Sequence, residues 1–120
     1  MDIQKIGVIG GGQMGGGIAQ VCALKGFDVA VLDISEDALA KGRERLEKAM
    51  NRDVEKGRTA AEDRDDAFAR MSWSTEYAIM GDRDMVIEAA TEDEEIKKAI
   101  LRELCTVVPE HTLIASNTSS

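Results

Sequence analysis

Apolar residues fall along the chain in two rhythms. Residues 5–10 (KIGVIG), 28–33 (DVAVLD), 85–90 (MVIEAA) and 113–116 (LIAS) are short, nearly unbroken runs, the pattern of strands buried on both faces. Between them, apolar positions recur every three or four residues. Met14, Ile18, Val21, Cys22 and Leu24 predict a helix over 14–25, stopped by Gly26 as its C-terminal cap residue. Leu39, Leu46, Ala49, Met50 and Val54 form a narrow stripe on a long, otherwise charged helix. Ser35 is its N-cap, Glu36 and Asp37 suit the positive end of its dipole, and it ends near Gly57. Thr59 and Glu62 have the spacing of a capping box and open a second short helix through Ala67 and Phe68. Residues 71–75 read as a further short strand. Ile96, Ile100, Leu101 and Leu104 mark one face of a helix over 93–107, which Pro109 closes.

Strands alternating with helices make an α/β domain with a mainly parallel sheet. Residues 36–69 form a helical hairpin after the second strand, larger than a crossover needs, so part of it is expected to project from the body. A strand order 3-2-1-4-5 would place the fourth and fifth strands beside each other, beyond the first. Asp82 and Asp84 read as turn residues, and Trp73 and the methionines as packing.

Composition narrows the function. Fifteen Lys and Arg against 23 Asp and Glu give a net charge of −8, so no basic excess exists to neutralise nucleic-acid phosphates. No apolar run approaches the roughly 20 residues that span a bilayer, and the expected setting is cytoplasmic. Cys22 and Cys105, each within a helix, read as reduced, buried thiols. One His and two Cys give no zinc-ligand spacing, and no metal is expected.

The chemistry concentrates in Gly10-x-Gly12-x-x-Gly15, which follows a strand and opens a helix. The first glycine permits the turn, the second admits a pyrophosphate to the backbone, and the third lets helix and strand close together. The helix N-terminus then faces the phosphates. Gly15, Gly16 and Gly17 are unfavourable in a helix unless something approaches closely. Asp33 ends the second strand, 21 residues past Gly12. There a carboxylate accepts hydrogen bonds from the ribose hydroxyls and repels a 2′-phosphate, favouring NAD over NADP; the plain alternative is a helix-capping residue. No GK[ST] follows the loop, which excludes a P-loop. The fold class is α/β, a Rossmann-like parallel sheet with a helical-hairpin insertion after the second strand.

GGGQMGGGIAQ, VLDIS, VIEAATEDEEIKKAI and IASNTSS, in that order, resemble the N-terminal NAD-binding domain of the 3-hydroxyacyl-CoA dehydrogenases, of the 3-hydroxybutyryl-CoA type, over essentially all 120 residues. The resemblance implies reversible hydride transfer between NAD and a (3S)-3-hydroxyacyl-CoA, in fatty-acid metabolism. It implies that Gly10, Gly12, Gln13, Met14 and Gly15 form the pyrophosphate loop and that Asp33 is the ribose acid. Glu92 and Lys97 would line the nicotinamide side. Asn117 would lie by nicotinamide and substrate, and Ser119 would hold the substrate oxygen. The hairpin, residues 36–69, is similar to the arm that helps hold coenzyme A, and the intact protein is expected to be a homodimer.

The chain departs from the pattern at Asp93, where an Asn is usual, and at Gly11 and Gly16. The family's catalytic His, the Glu that orients it and a further helical domain belong after SNTSS, so the 120 residues alone are expected to be inactive. His111 precedes that tip and reads as a solvated loop residue. Without the resemblance, ATEDEEIKK is a solvated helix start and SNTSS is loop chemistry. Two other functions fit the same residues: a non-catalytic dinucleotide-binding module, and an NAD-dependent hydroxy-acid or sugar-acid dehydrogenase of the gulonate type.

Overall fold

The computed structural model describes residues 3–10, 13–89 and 93–116, with the backbone alone at 13 and 14. The elements are β1 (Lys5–Ile9), α1 (Gln13–Leu24), β2 (Asp28–Leu32), α2 (Glu36–Glu55), α3 (Ala61–Ala69), β3 (Met71–Ser74), a 3-10 turn (Tyr77–Met80), β4 (Met85–Glu88), α4 (Glu94–Val107) and β5 (Leu113–Ser116). All five strands are parallel, in the order β3-β2-β1-β4-β5. The expected Rossmann-like order is what the sheet has. Its final rung runs Ser74, Leu32, Ile9, Glu88, Ser116, each pair in register.

Alternation along each strand divides the core in two. Ile6, Val8, Val29 and Val31 pack under Ala19, Ala23, Leu39, Leu46, Met50 and Ala67, from α1, α2 and α3. Ile9, Ala30, Leu32 and Val86 face Met80, Ile100 and Leu104, from the 3-10 turn and α4. Burying apolar surface on both faces at about 25 cal/mol per Å² is the main stabilising force here.

Helix α1 buries small residues, Gly15, Ala19 and Ala23, and leaves Val21 59% exposed. The larger apolar residues of the sequence pattern therefore sit at the margins or outside, because a helix this close to a sheet admits only short side chains along its contact line. Near Gly16 and Gly17 no described atom lies within 4 Å of a β-carbon position, so close approach holds for Gly15 alone of the three.

Most of α2 lies on the body, and the far turn of the hairpin, residues 54–66, holds no buried residue. Leu39, Gly42, Leu46 and Met50 are buried along most of α2, and Gln20 Nε2 of α1 donates to Asp53 Oδ2 near its far end at 3.0 Å. Arg64 of α3 donates to Asn51 Oδ1 at 2.9 Å, closing the pair. That apolar stripe holds α2 as far as Met50 against α1 and the sheet.

Ser35 caps α2, its Oγ accepting from the Ala38 N–H at 3.1 Å. Thr59 forms no capping box. The Asp53 carbonyl accepts from the Arg58 and Thr59 N–H groups, which keeps Thr59 in the turn and makes Ala60, without a side-chain cap bond, the N-cap of α3. Gly26 and Gly57 end α1 and α2 at φ of 101° and 74°, as their positions implied.

At the opposite end of the sheet, the Asp84 carboxylate accepts from the Gln4 and Lys5 N–H groups, both at 2.9 Å. The buried Arg83 guanidinium bonds Asp28 Oδ1 at 2.6 Å and Asp82 Oδ1 at 3.0 Å. The two aspartates are turn residues, as read, and they also tie the starts of three strands together. Cys22 is half-buried, and burial pushes its thiol up. Cys105 is exposed, against expectation, because it lies on the outer face of α4. His111 is an exposed loop residue, 4.0 Å from Asp84. Among the described residues, no helix is long and apolar enough to cross a membrane.

Candidate dinucleotide site

Beyond the last rung the chain turns sharply. Gly10 takes a φ of 100°, which only glycine adopts without strain, and its N–H donates to the Leu32 carbonyl at 2.8 Å. A β-carbon on Gly15 would overlap the Gly10 carbonyl oxygen. The first and third glycines thus do the two jobs the spacing implied: one makes the turn, and the other lets α1 start directly against it. The first turn of α1, whose N–H groups have no partner within the helix, is brought to the carboxyl edge of the sheet, which suits an anion.

Beside the turn lies a cleft of about 280 Å³, lined by Ile9, Gly10, Leu32, Asp33, Ile34, Thr75, Tyr77, Ile96 and Ile100. Small-molecule pockets span about 300–1,000 Å³, so this one takes part of a dinucleotide rather than the whole. Its walls are mainly apolar, with Asp33, Thr75 and the Tyr77 phenol as the polar side chains. Ile34 is 92% exposed and Ile96 is 51% exposed, an expensive pair to leave in water unless a flat apolar group covers them. Ile96 was expected on the buried face of α4; the helix instead buries Lys97, Ile100 and Leu104 and turns Ile96 into the cleft mouth. The Tyr77 phenol is pushed up, first by burial and then by Glu103, so it stays protonated at neutral pH.

Asp33 is half-buried on the cleft wall, and its Oδ1 accepts from the Ile34 N–H at 2.7 Å. Ser35 supplies the cap of α2, so the plain reading of Asp33 as a helix-capping residue fails. A carboxylate fixed by its own chain, beside Gly10, offers acceptor positions to a vicinal diol.

At the other end of the rung, Glu88 is 0% exposed. Its Oε1 accepts from Ser116 Oγ at 3.0 Å and lies 3.7 Å from Lys97 Nζ. Lys97 Nζ in turn lies 3.4 Å from Ser116 Oγ. Lys97 is thus brought to the sheet's carboxyl edge, nearly buried, on an acid that the sequence reading passed over. The available signal was a charged residue inside the apolar run MVIEAA, where strand alternation makes Glu88 follow Val86 inward. Asp93, the departure from the usual Asn, caps α4 by accepting from the Glu95 and Ile96 N–H groups at 2.9 and 3.1 Å.

Gly12, Glu92, Asn117 and Ser119 lie outside the described residues, as do the side chains of Gln13 and Met14. Gly10, Gly15 and Asp33 come together at one end of the site, and Lys97 stands at the other. Among the described residues, no group of three or more His, Cys, Asp or Glu could hold a metal ion.

Comparison with known proteins agrees with the fold. The family model described as 3-hydroxyacyl-CoA dehydrogenase, NAD binding domain, matches residues 5–120. A 3-hydroxybutyryl-CoA dehydrogenase of Bradyrhizobium diazoefficiens is 43% identical over 98% of the chain and 40% of its own length. A 3-hydroxyadipyl-CoA dehydrogenase of Escherichia coli is 38% identical over all of the chain and 25% of its own length. The crystal structure of an (S)-3-hydroxybutyryl-CoA dehydrogenase from Ralstonia eutropha superposes with a TM-score of 0.95 at 41% identity, covering 99% of this chain and 42% of that one. The chain therefore spans less than half the length of these relatives.

Proposed function

The chain belongs to the 3-hydroxyacyl-CoA dehydrogenase family as its NAD-binding domain, and from that premise we propose that the whole protein oxidises (3S)-3-hydroxyacyl-CoA reversibly. The observation that carries the cofactor half is Asp33 on the wall of an apolar cleft, directly beside the Gly10–Gly15 contact. The residues present fit NAD. The cleft takes the adenine, Asp33 binds the ribose diol and opposes a 2′-phosphate, and the start of α1 takes the pyrophosphate.

NAD supplies the hydride acceptor. The protein's own residues supply orientation and electrostatics. In this reading Gly12, Gln13 and Met14 complete the phosphate loop, while Glu92, Lys97 and Asn117 line the nicotinamide end. Ser119 donates to the substrate carbonyl oxygen, or accepts from the alcohol, and Asn117 fixes its direction; both act by positioning. Moving the alcohol proton requires a general base as well, a role the resemblance gives to a His in the further part of the protein. The hairpin, with Lys41, Arg43, Arg45 and Lys48 exposed on α2, is the proposed arm for the phosphates of coenzyme A. A homodimer and a cytoplasmic setting belong to the same reading and rest on the resemblance.

The test is a titration of the intact protein with NADH and NADPH, followed by nicotinamide fluorescence, with acetoacetyl-CoA reduction measured beside it. NADH is expected to bind much more tightly than NADPH, and Asp33→Ala to narrow that preference at least tenfold by weakening NADH. Equal binding of the two cofactors by the native protein would overturn the role of Asp33. Oxidation of free hydroxy acids without coenzyme A would overturn the substrate.

A further inference from the structure

Glu88 ends a strand that is otherwise apolar on its inward side, at a rung whose other inner members are uncharged. It is fully buried, and a carboxylate taken out of water is unfavourable unless strongly held. It is held from two elements at once: by the Ser116 hydroxyl at the end of β5 and by the Lys97 ammonium one turn into α4. The ammonium also reaches the same hydroxyl. Such a triangle is a poor way to hold a fold together, since an apolar cluster of the same volume often does as well or better. What an apolar cluster cannot do is fix an ammonium and a hydroxyl in one place.

The position of the triangle says why that matters. Lys97 is the cation of the nicotinamide end, and Ser116 is the residue immediately before Asn117. We propose that Glu88 is a positioning residue for the reaction, setting Lys97 and the end of β5 in register with the cofactor. The proposal rests on the reading above that Lys97 and Asn117 serve the nicotinamide end. Removing the Glu88 charge is therefore expected to move cofactor binding through Lys97 and not independently of it.

A double-mutant cycle on the intact protein tests this, with the NADH dissociation constant and the melting temperature read for each variant. Lys97→Gln is expected to weaken NADH binding about tenfold, as is Glu88→Gln, and the double variant is expected to be no worse than either single one, because residues in one charged network couple strongly. Losses that multiply, or Glu88→Gln binding NADH like the native protein while only its melting temperature falls, would overturn the proposal and leave Glu88 a packing residue. Lys97→Gln binding like the native protein would instead overturn the role of Lys97 itself. Should Glu88→Gln not fold, Ser116→Ala at an exposed position carries the same test. Its loss, about threefold, is expected to vanish in a Lys97→Gln background. No loss, or one that persists there, overturns the proposal.

Discussion

Gly15 carries the sharpest expectation at the residue scale. A methyl group there would meet the Gly10 carbonyl oxygen, a backbone atom with no rotamer to escape by. Gly15→Ala is expected to push α1 off β1, costing about 1–3 kcal/mol in denaturant titration, and to weaken NADH binding by more than tenfold. Gly16→Ala, with nothing described within 4 Å of its β-carbon position, is expected to do neither. The glycine roles at 10 and 15 and the placement of Asp33 were legible in the sequence, because each depends on backbone geometry that a fixed spacing encodes. Glu88 was not. The alternation within MVIEAA hints that Glu88 turns inward after Val86, but nothing local identifies what pairs its carboxylate. Its partners come from α4 and β5, 9 and 28 residues later in the chain.

Among the elements, α2 shows how much a cap and a stripe decide. Ser35 anchors the first turn, and Ser35→Ala is expected to lower stability by about 1 kcal/mol, measured by urea unfolding with NADH affinity unchanged. That cap could be read in advance because the serine directly precedes two acids and an apolar period. The equivalent motif at Thr59 misled, since two backbone bonds to the Asp53 carbonyl claim that segment for the end of α2. Neighbouring turns compete for the same N–H groups, and the sequence alone does not rank them. Helix α4 shows the same limit. Its period was visible, but its rotation was not: Lys97 shares the buried face with Ile100 and Leu104 and pairs with Glu88, while Ile96 lies at the cleft. The 3-10 turn Tyr77–Met80 had no apolar period to announce it.

For the whole molecule, the lower end of the sheet contributes to the response to acid. Hydrogen bonds from Arg83 and then Lys5 hold the Asp82 carboxyl below its ordinary range, and the Gln4 and Lys5 N–H groups do the same for Asp84. Groups depressed on folding stabilise the protein above their unfolded value, near pH 3.9, and lose that contribution as pH falls through the lower folded value. Asp84→Ala is therefore expected to be less stable than the native protein at pH 7, with the gap closing as pH falls below the ordinary carboxylate range, as urea midpoints measured through that fall would show. The upper end has a different consequence. Leu32 and Ser116 occupy one rung, separated by the steps from β2 to β1, β1 to β4 and β4 to β5. At about 4.8 Å per step this is roughly 14 Å, a length fixed by the repeat of peptide hydrogen bonds and insensitive to side-chain choice. The sheet is in effect a gauge. A ligand with two recognition ends meets both only if its own span matches, and a mononucleotide engages one end and forfeits the effective concentration that joins the two.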